Sequence, residues 1–378
     1  MQKLFIELIQ VALGQREKLS CSPSNKEWAD LFAISEIQSI TGVTFLALEQ
    51  LHKQEQRPPF NLLCAWIGVS EQIRRKNEQM NNEAVLLTKL FENEGHKTAI
   101  LKGQANALLY TNPLSRQPGD IDIWVSGGKE KVLQTLQRLN LVEGKLAKYD
   151  TTEDTTETYH HIHLPTNKNG IDVEVHFRPS SGNLNPFTNY RLQNYLNNEI
   201  DRARTLVDDG FYVPSVRFAL VMQLAHIQRH LLTEGVGLRQ LMDFYYLLKS
   251  DSRKERMEVM PWLRKCGLSH MAGAAMWILK EVFGLEDEFI IAPFDEERGR
   301  MALSIVMAGG NFGKYIPNTR VKLSWVNLVR CRFNRLKLLK FDSREVIWGE
   351  IRFILFFFIS IPERIRRKSW SLGMRAKN

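Results

Sequence analysis

The feature that most constrains this chain is the stretch Gly119-Asp120-Ile121-Asp122-Ile123-Trp124-Val125. Successive side chains of an extended segment point to opposite faces. Ile121, Ile123 and Val125 can therefore enter a hydrophobic core only if Asp120 and Asp122 share the other face. With a rise of about 3.3 Å per residue, the two carboxylates stand ~6.6 Å apart, a span that holds one hard cation or brackets two ions about 3.5–4 Å apart. Oxygen donors of this kind suit Mg²⁺ or Mn²⁺ rather than zinc. The alternative for an arbitrary Asp-x-Asp is a solvated surface strand. Against it stands the context, a poor strand former set inside an apolar run directly after a glycine turn.

Upstream, Lys97 to Lys102 is a short run suited to a buried strand, Gly103 ends it, and Gln104 to Tyr110 has helix propensity until Thr111-Asn112-Pro113 stops it. A strand, a glycine turn and a helix N-terminus place free backbone N–H groups where a phosphate can sit, with Lys102 adding a point charge. Arg116, in the loop before Gly119, is either a solvated loop residue or a clamp on phosphate oxygens. Downstream, Gly127-Gly128 leads into an amphipathic helix over Lys129 to Asn140. Thr155 to Leu164 and Ile171 to Arg178, joined by Asn167-Lys168-Asn169-Gly170, carry the signal of a β-hairpin. In its second strand Asp172, Glu174, His176 and Arg178 share one face. That row is either the wet side of an antiparallel sheet or, beside the Asp-x-Asp strand, the source of a third carboxylate at a strand spacing of about 4.8 Å.

Leu101-Lys102-Gly103, Leu109-Tyr110, Pro113, Arg116 and Gly119-Asp120-Ile121-Asp122-Ile123, followed by Val173-Glu174-Val175-His176, together resemble a group of uncharacterised bacterial nucleotidyltransferases of the DNA polymerase beta-like superfamily. The resemblance covers about residues 83–250 and takes in Gly237-Leu238-Arg239-Gln240-Leu241-Met242-Asp243. It implies an α+β fold in which a small mixed sheet forms the nucleotidyltransferase core, flanked by N-terminal and C-terminal helical regions. It also implies Mg²⁺ or Mn²⁺ on Asp120, Asp122 and Glu174, and a nucleoside triphosphate near Lys102, Gly103, Arg116 and Gly119. The reaction implied is transfer of a nucleoside monophosphate to an unidentified hydroxyl acceptor, with pyrophosphate leaving. Two departures from the wider superfamily stand out: Gly103 is followed by Gln104 rather than Ser, and the gap to Asp120 is long. Asp172 competes with Glu174 for the third position, and Glu174 is preferred because it lies two residues before His176.

Around this core, residues 1–95 read as helical, a cap without chemistry of its own, with one long or two short helices between Leu62 and Leu90. Phe187 to Glu199 and Val216 to Leu232 read as helices, and Thr205 to Val213 as β structure with a turn at Asp208-Asp209-Gly210. His226 and His230 lie one helical turn apart without the glutamate of a zinc protease. With Asp172, His176, Arg239 and Asp243 they are candidates for the acceptor side of a cleft, the alternative being a structural hydrogen-bond network. Lys254 to Gly309 is a helical pattern. The regions expected are 1–82 helical, 83–214 nucleotidyltransferase core, 215–319 helical bundle and 320–378 basic amphipathic tail.

Charge and cysteines bound the partners. Of the 378 residues, those from Arg320 onward hold 15 Lys or Arg against 4 Asp or Glu, which leaves 36 against 38 before it. The net charge of +9 thus belongs to the tail, and a long nucleic acid is not the expected partner of the core. Four scattered cysteines without a Cys-x-x-Cys argue against zinc and for a reducing, cytoplasmic setting. Val346 to Ile361 is apolar but charged at Glu350 and Arg352, too short to span a bilayer, and followed by Arg364 to Lys368 and Trp370. Residues 346–377 read either as a peripheral contact with the anionic inner face of a membrane or as a docked segment with a solvated tail. A catalytically silent nucleotide-binding protein and a membrane-associated accessory protein are the rival functions.

Overall fold

The computed structural model describes residues 1–142, 156–250, 252–310 and 335–366. Four helices open the chain: α1 (Gln2–Ala12), α2 (Asn25–Ile37), α3 (Thr41–Lys53) and α4 (Phe60–Asn93). α2 begins on a capping box, in which the Ser24 hydroxyl accepts from the Glu27 N–H while the Glu27 carboxylate accepts from the Ser24 N–H. Arg57-Pro58-Pro59 delays the next helix until Phe60, and α4 then runs as one piece of 34 residues, about 50 Å long, through position 82. It joins two cores. Trp66 sits among the helices, whereas Met80, Ala84, Leu87 and Phe91, recurring at helical spacing, cover one face of the sheet.

The sheet comprises β1 (Thr98–Ile100), β2 (Ile121–Val125), β3 (Thr156–Glu157), β4 (His161–His163) and β5 (Val173–His176), in the order β1-β2-β5-β4-β3. Only β2 and β5 run parallel, so the sheet is mixed. Among the described residues, two α-helices fall between its strands, the single turn α5 (Gln104–Ala107) and α6 (Gly128–Arg138). β4 and β5 form the hairpin expected from the Asn-Gly signal. The Asn167 side chain accepts from the N–H groups of Asn169 and Ile171, and Gly170 takes φ +64°.

Beyond the sheet come α7 (Pro186–Arg202), a two-stranded ribbon of β6 (Arg204–Leu206) and β7 (Tyr212–Pro214), then α8 (Val216–Thr233), α9 (Leu238–Ser250), α10 (Arg253–Lys265), α11 (Ser269–Phe283), α12 (Glu296–Gly309) and α13 (Leu339–Arg366). Asp342 breaks α13 with φ −151°, ψ 94° and restarts it, its carboxylate accepting from the Glu345 N–H. The N-terminal helices do not stand apart as a cap: Leu4, Phe5, Trp28 and Trp66 share one apolar core with Phe218, Leu241 and Phe283. Among the described residues no helix is long and apolar enough to cross a membrane. Of the basic tail, the run from Arg364 to Lys368 and Trp370 lies outside the residues whose side chains are described.

Candidate active site

Parallel pairing of β2 with β5 sets the site. The register places Asp122 beside Glu174 and Trp124 beside His176, while Ile121, Ile123, Val125, Val173 and Val175 fill the apolar core on the opposite face. Period-two alternation thus delivers carboxylates from two neighbouring strands to one surface, and Asp120 joins them from the residue before β2. Asp122 is 1% exposed, and its Oδ1 meets Lys102 Nζ at 3.1 Å and His176 Nε2 at 2.9 Å. Its Oδ2 is buried and has no hydrogen-bond partner. Asp120, half-buried, makes no hydrogen bond or ion pair among the described residues.

Burial and charge act together here. Burial pushes the Asp122 carboxyl above its ordinary value, Lys102 opposes the rise and Asp120 adds to it. Burial acts against the charged form of Lys102, yet Asp122, Asp120 and Glu174 outweigh it and hold the ammonium charged. His176 shows the same balance: burial lowers it, but hydrogen bonds to Asp122 and Glu174 lift it to about 9. Burial would likewise raise Glu174, but His176, His161 and Lys102 hold it well below the ordinary carboxylate range. Three carboxylates surrounded by cations, one of them with an orphaned buried oxygen, fit a divalent metal ion. Such an ion would supply the partner that Asp122 Oδ2 lacks in the protein.

A cleft opens beside this group. Lys102, Gly103, Gly119, Asp120 and Asp122 line one side, Gln223, His226, Arg239 and Gln240 come from α8 and α9, and Arg116 and Asp243 complete it. Gly103 takes φ +60°, ψ −107°, a region open to glycine, and so turns the chain between β1 and α5. The Arg239 guanidinium lies against the loop at Gly119, where a Cβ would stand in ordinary contact with Nη1 at 3.4 Å. That guanidinium donates to the carbonyls of Gln117 and Pro118 at 3.2 and 3.1 Å, and its buried Nε has no partner. His226 makes no hydrogen bond among the described residues, and its ring meets that of His230 at 4.2 Å. Burial, followed by the nearby His230, Lys102 and Arg239, keeps the His226 imidazole neutral.

Several expectations change. Arg116 is not a solvated loop residue: it is 4% exposed and pairs with Asp243 through Nε at 2.7 Å and Nη2 at 2.8 Å, which occupies the fork expected to clamp phosphate oxygens. Asp243 also accepts from the Tyr110 hydroxyl at 2.7 Å, so both its oxygens are taken up in holding the loop to α9. Asp243 thus lines the cleft and also takes part in a structural hydrogen-bond network. The helix expected from Gln104 to Tyr110 is a single turn, too short to carry much of a dipole. Asp172 is exposed and accepts from Thr166 Oγ1 at 2.5 Å, and His230 Nδ1 faces Glu234 at 3.3 Å; neither lines the cleft.

Other residues went unread in the sequence. Asn77 of α4 donates to the carbonyls of Leu114 and Arg116 and accepts from Gln104, which fixes the loop before Asp120. Asn106 donates to Gln223, which in turn donates to the Gln240 carbonyl, and so ties α5 to the helices. Polar residues in helices carry no signal by themselves. His160, His161 and His163 do: three of the chain's nine histidines fall within four positions, and register counted from the Asn-Gly turn sets His161 opposite His176.

A mixed sheet that sets carboxylates on neighbouring strands, backed by helices, defines an α+β nucleotidyltransferase-like fold. The comparison with protein families agrees: residues 24–284 match the family described as uncharacterised nucleotidyltransferase, and the chain belongs to it. Among solved structures, the chain is similar to an antigenic nucleotidyltransferase-like protein from Paracoccidioides brasiliensis, with 12% identity over 58% of this chain and 96% of that one. The TM-score of 0.36 is too low for anything about the site to follow. No match was found among curated proteins.

Proposed function

We propose that the protein transfers a nucleoside monophosphate from a nucleoside triphosphate to a hydroxyl acceptor, a small molecule or a protein side chain, with Asp120, Asp122 and Glu174 holding Mg²⁺ or Mn²⁺. The observation that carries this reading is the buried Asp122 Oδ2, unpartnered and set by strand register beside Glu174. A divalent ion there supplies neutralisation of the phosphate oxygens. Lys102 and His176 grip Asp122 Oδ1 and leave Oδ2 turned to the ligand. Arg239, whose Nε has no hydrogen-bond partner among the described residues, offers a fork to the phosphates. His226, neutral and facing the cleft, orients the acceptor hydroxyl, and Glu174 takes its proton as the oxygen attacks the α-phosphorus, the bond to the β-phosphate oxygen breaks and pyrophosphate leaves. The test is Mg²⁺-dependent binding of ATP and other triphosphates by the full chain, which is expected to vanish in the double variant Asp120→Ala with Asp122→Ala. Release of pyrophosphate on adding acceptors separates transfer from mere binding; triphosphate binding that ignores both Mg²⁺ and the double variant would sink the reading.

A second reading concerns α13, where Ile347, Ile351, Ile354 and Leu355 lie exposed along one stripe ahead of the basic segment. We propose that this stripe rests on an anionic membrane surface, which would make the protein cytoplasmic and peripheral. Flotation with anionic but not neutral liposomes, lost in Ile351→Glu with Ile354→Glu, is the result expected.

A further inference from the structure

The proposed transfer chemistry makes no use of His160 and His161, at the start of β4. One nitrogen from each of His160, His161 and His176 lies within 4.8 Å of the others. The rings meet pairwise at centroid distances of 4.3, 5.2 and 5.1 Å. Second contacts hold the outer nitrogens. His160 Nδ1 meets the Thr158 hydroxyl at 3.3 Å and His176 Nδ1 meets the Arg178 carbonyl at 3.3 Å. Such contacts are what orient an imidazole toward a metal and fix its tautomer. On the inner side His160 Nε2 lies 3.0 Å from His161 Nδ1, and Glu174 Oε2 lies 3.2 Å from His161 Nδ1 and 3.5 Å from His176 Nε2.

We propose that His160, His161 and His176 form a site for a borderline divalent ion such as Zn²⁺ or Co²⁺, with Glu174 beside it, distinct in chemistry from the carboxylate site for Mg²⁺. Binding requires His176 Nε2 to exchange its contact with Asp122 Oδ1 for the ion. Imidazole nitrogens select such ions over Mg²⁺, which demands oxygen donors. Cysteine spacing gave no hint of it, because no cysteine takes part. The site shares Glu174 with the proposed transfer centre, so its occupancy fixes how that carboxylate faces Asp122.

The experiment is a titration of the untagged full chain, stripped of metal, with Co²⁺ in the presence of excess Mg²⁺. One equivalent is expected to give the visible bands of imidazole-bound Co²⁺. His160→Ala and His161→Ala should each weaken binding by more than the ~10–100-fold that loss of an outer partner costs. Asp120→Asn, which touches only the carboxylate site, should leave the bands unchanged. Absence of Co²⁺ binding to the wild type, or unchanged bands in the double histidine variant, overturns the proposal. Should the histidine variants fail to fold by circular dichroism, X-ray absorption of the Zn²⁺-loaded wild type decides, and fewer than two imidazoles around the ion overturns it. Co²⁺ bands without Mg²⁺-dependent triphosphate binding would leave this site standing while the proposed transfer function falls.

Discussion

Two buried charged assemblies face the same cleft, and they are built to opposite rules. In the first, Arg116, Asp243 and Tyr110 satisfy one another: both carboxylate oxygens accept, the guanidinium forks across them, and Tyr110 stacks on Tyr246 at 4.2 Å. In the second, Lys102 and His176 crowd onto one oxygen of Asp122 and leave the other bare, while Asp120 beside it makes no hydrogen bond or ion pair among the described residues. A saturated buried pair contributes to holding a fold and has nothing left to offer a ligand. An unsaturated one costs stability, and a protein tolerates that cost where a ligand can offset it. The same argument turns Arg239, with its orphaned Nε, into a better candidate for phosphate than Arg116, whose sequence context looked the stronger.

Breaking the saturated assembly should have the largest effect. Arg116→Ala strands Asp243 without its cation and is expected to cost about 3–5 kcal/mol of folding stability, read as a lower urea midpoint. The unsaturated assembly should respond the other way. Asp120→Ala removes a half-buried carboxylate that makes no hydrogen bond or ion pair among the described residues, so stability should move by no more than about 0.5 kcal/mol. Mg²⁺-dependent triphosphate binding should nonetheless fall by more than ~100-fold, beyond the cost of an outer partner. If Asp120→Ala instead destabilised the fold as Arg116→Ala does, the distinction between the two assemblies would be lost.

How much of this was legible follows from the same physics. The strand pair was, because alternation is local: Ile121, Ile123, Val173 and Val175 announce the buried face and thereby the acidic one. The Asn167-Gly170 turn fixed the hairpin, and the family pattern supplied Glu174 as the neighbour of Asp122. The fate of Arg116 was hidden because its partner lies 127 positions away on α9, a separation that no local pattern reports. Asn77 was hidden for the same reason, as its contacts at Leu114 and Arg116 come from elsewhere in the chain. The histidine cluster was readable in principle but needed the hairpin register to be counted residue by residue.

A smaller effect should separate the two arginines. Arg239→Lys keeps a positive charge but loses the planar fork and the free Nε, and the ammonium cannot span two phosphate oxygens. A loss of about tenfold in triphosphate affinity, equivalent to about 1.4 kcal/mol, is expected in titration calorimetry with Mg²⁺ present, with little change in the urea midpoint. Equal affinity in the variant would mean that Arg239 only props the carbonyls of Gln117 and Pro118.

The smallest effect concerns Asp172, which alternation places on the same strand face as Glu174. Asp172 is exposed and spends its carboxylate on the Thr166 hydroxyl near the hairpin turn, where water screens its charge and replaces its partner at little cost. Asp172→Ala should therefore change stability by no more than about 0.5 kcal/mol and leave triphosphate binding within error. Glu174 is held between His161 and His176 and paired in register with Asp122, so Glu174→Gln keeps the shape, removes the charge and should lose Mg²⁺-dependent binding. A result the other way round would move the third carboxylate one alternation down β5 toward Asp120, and would leave Glu174 to the histidines alone.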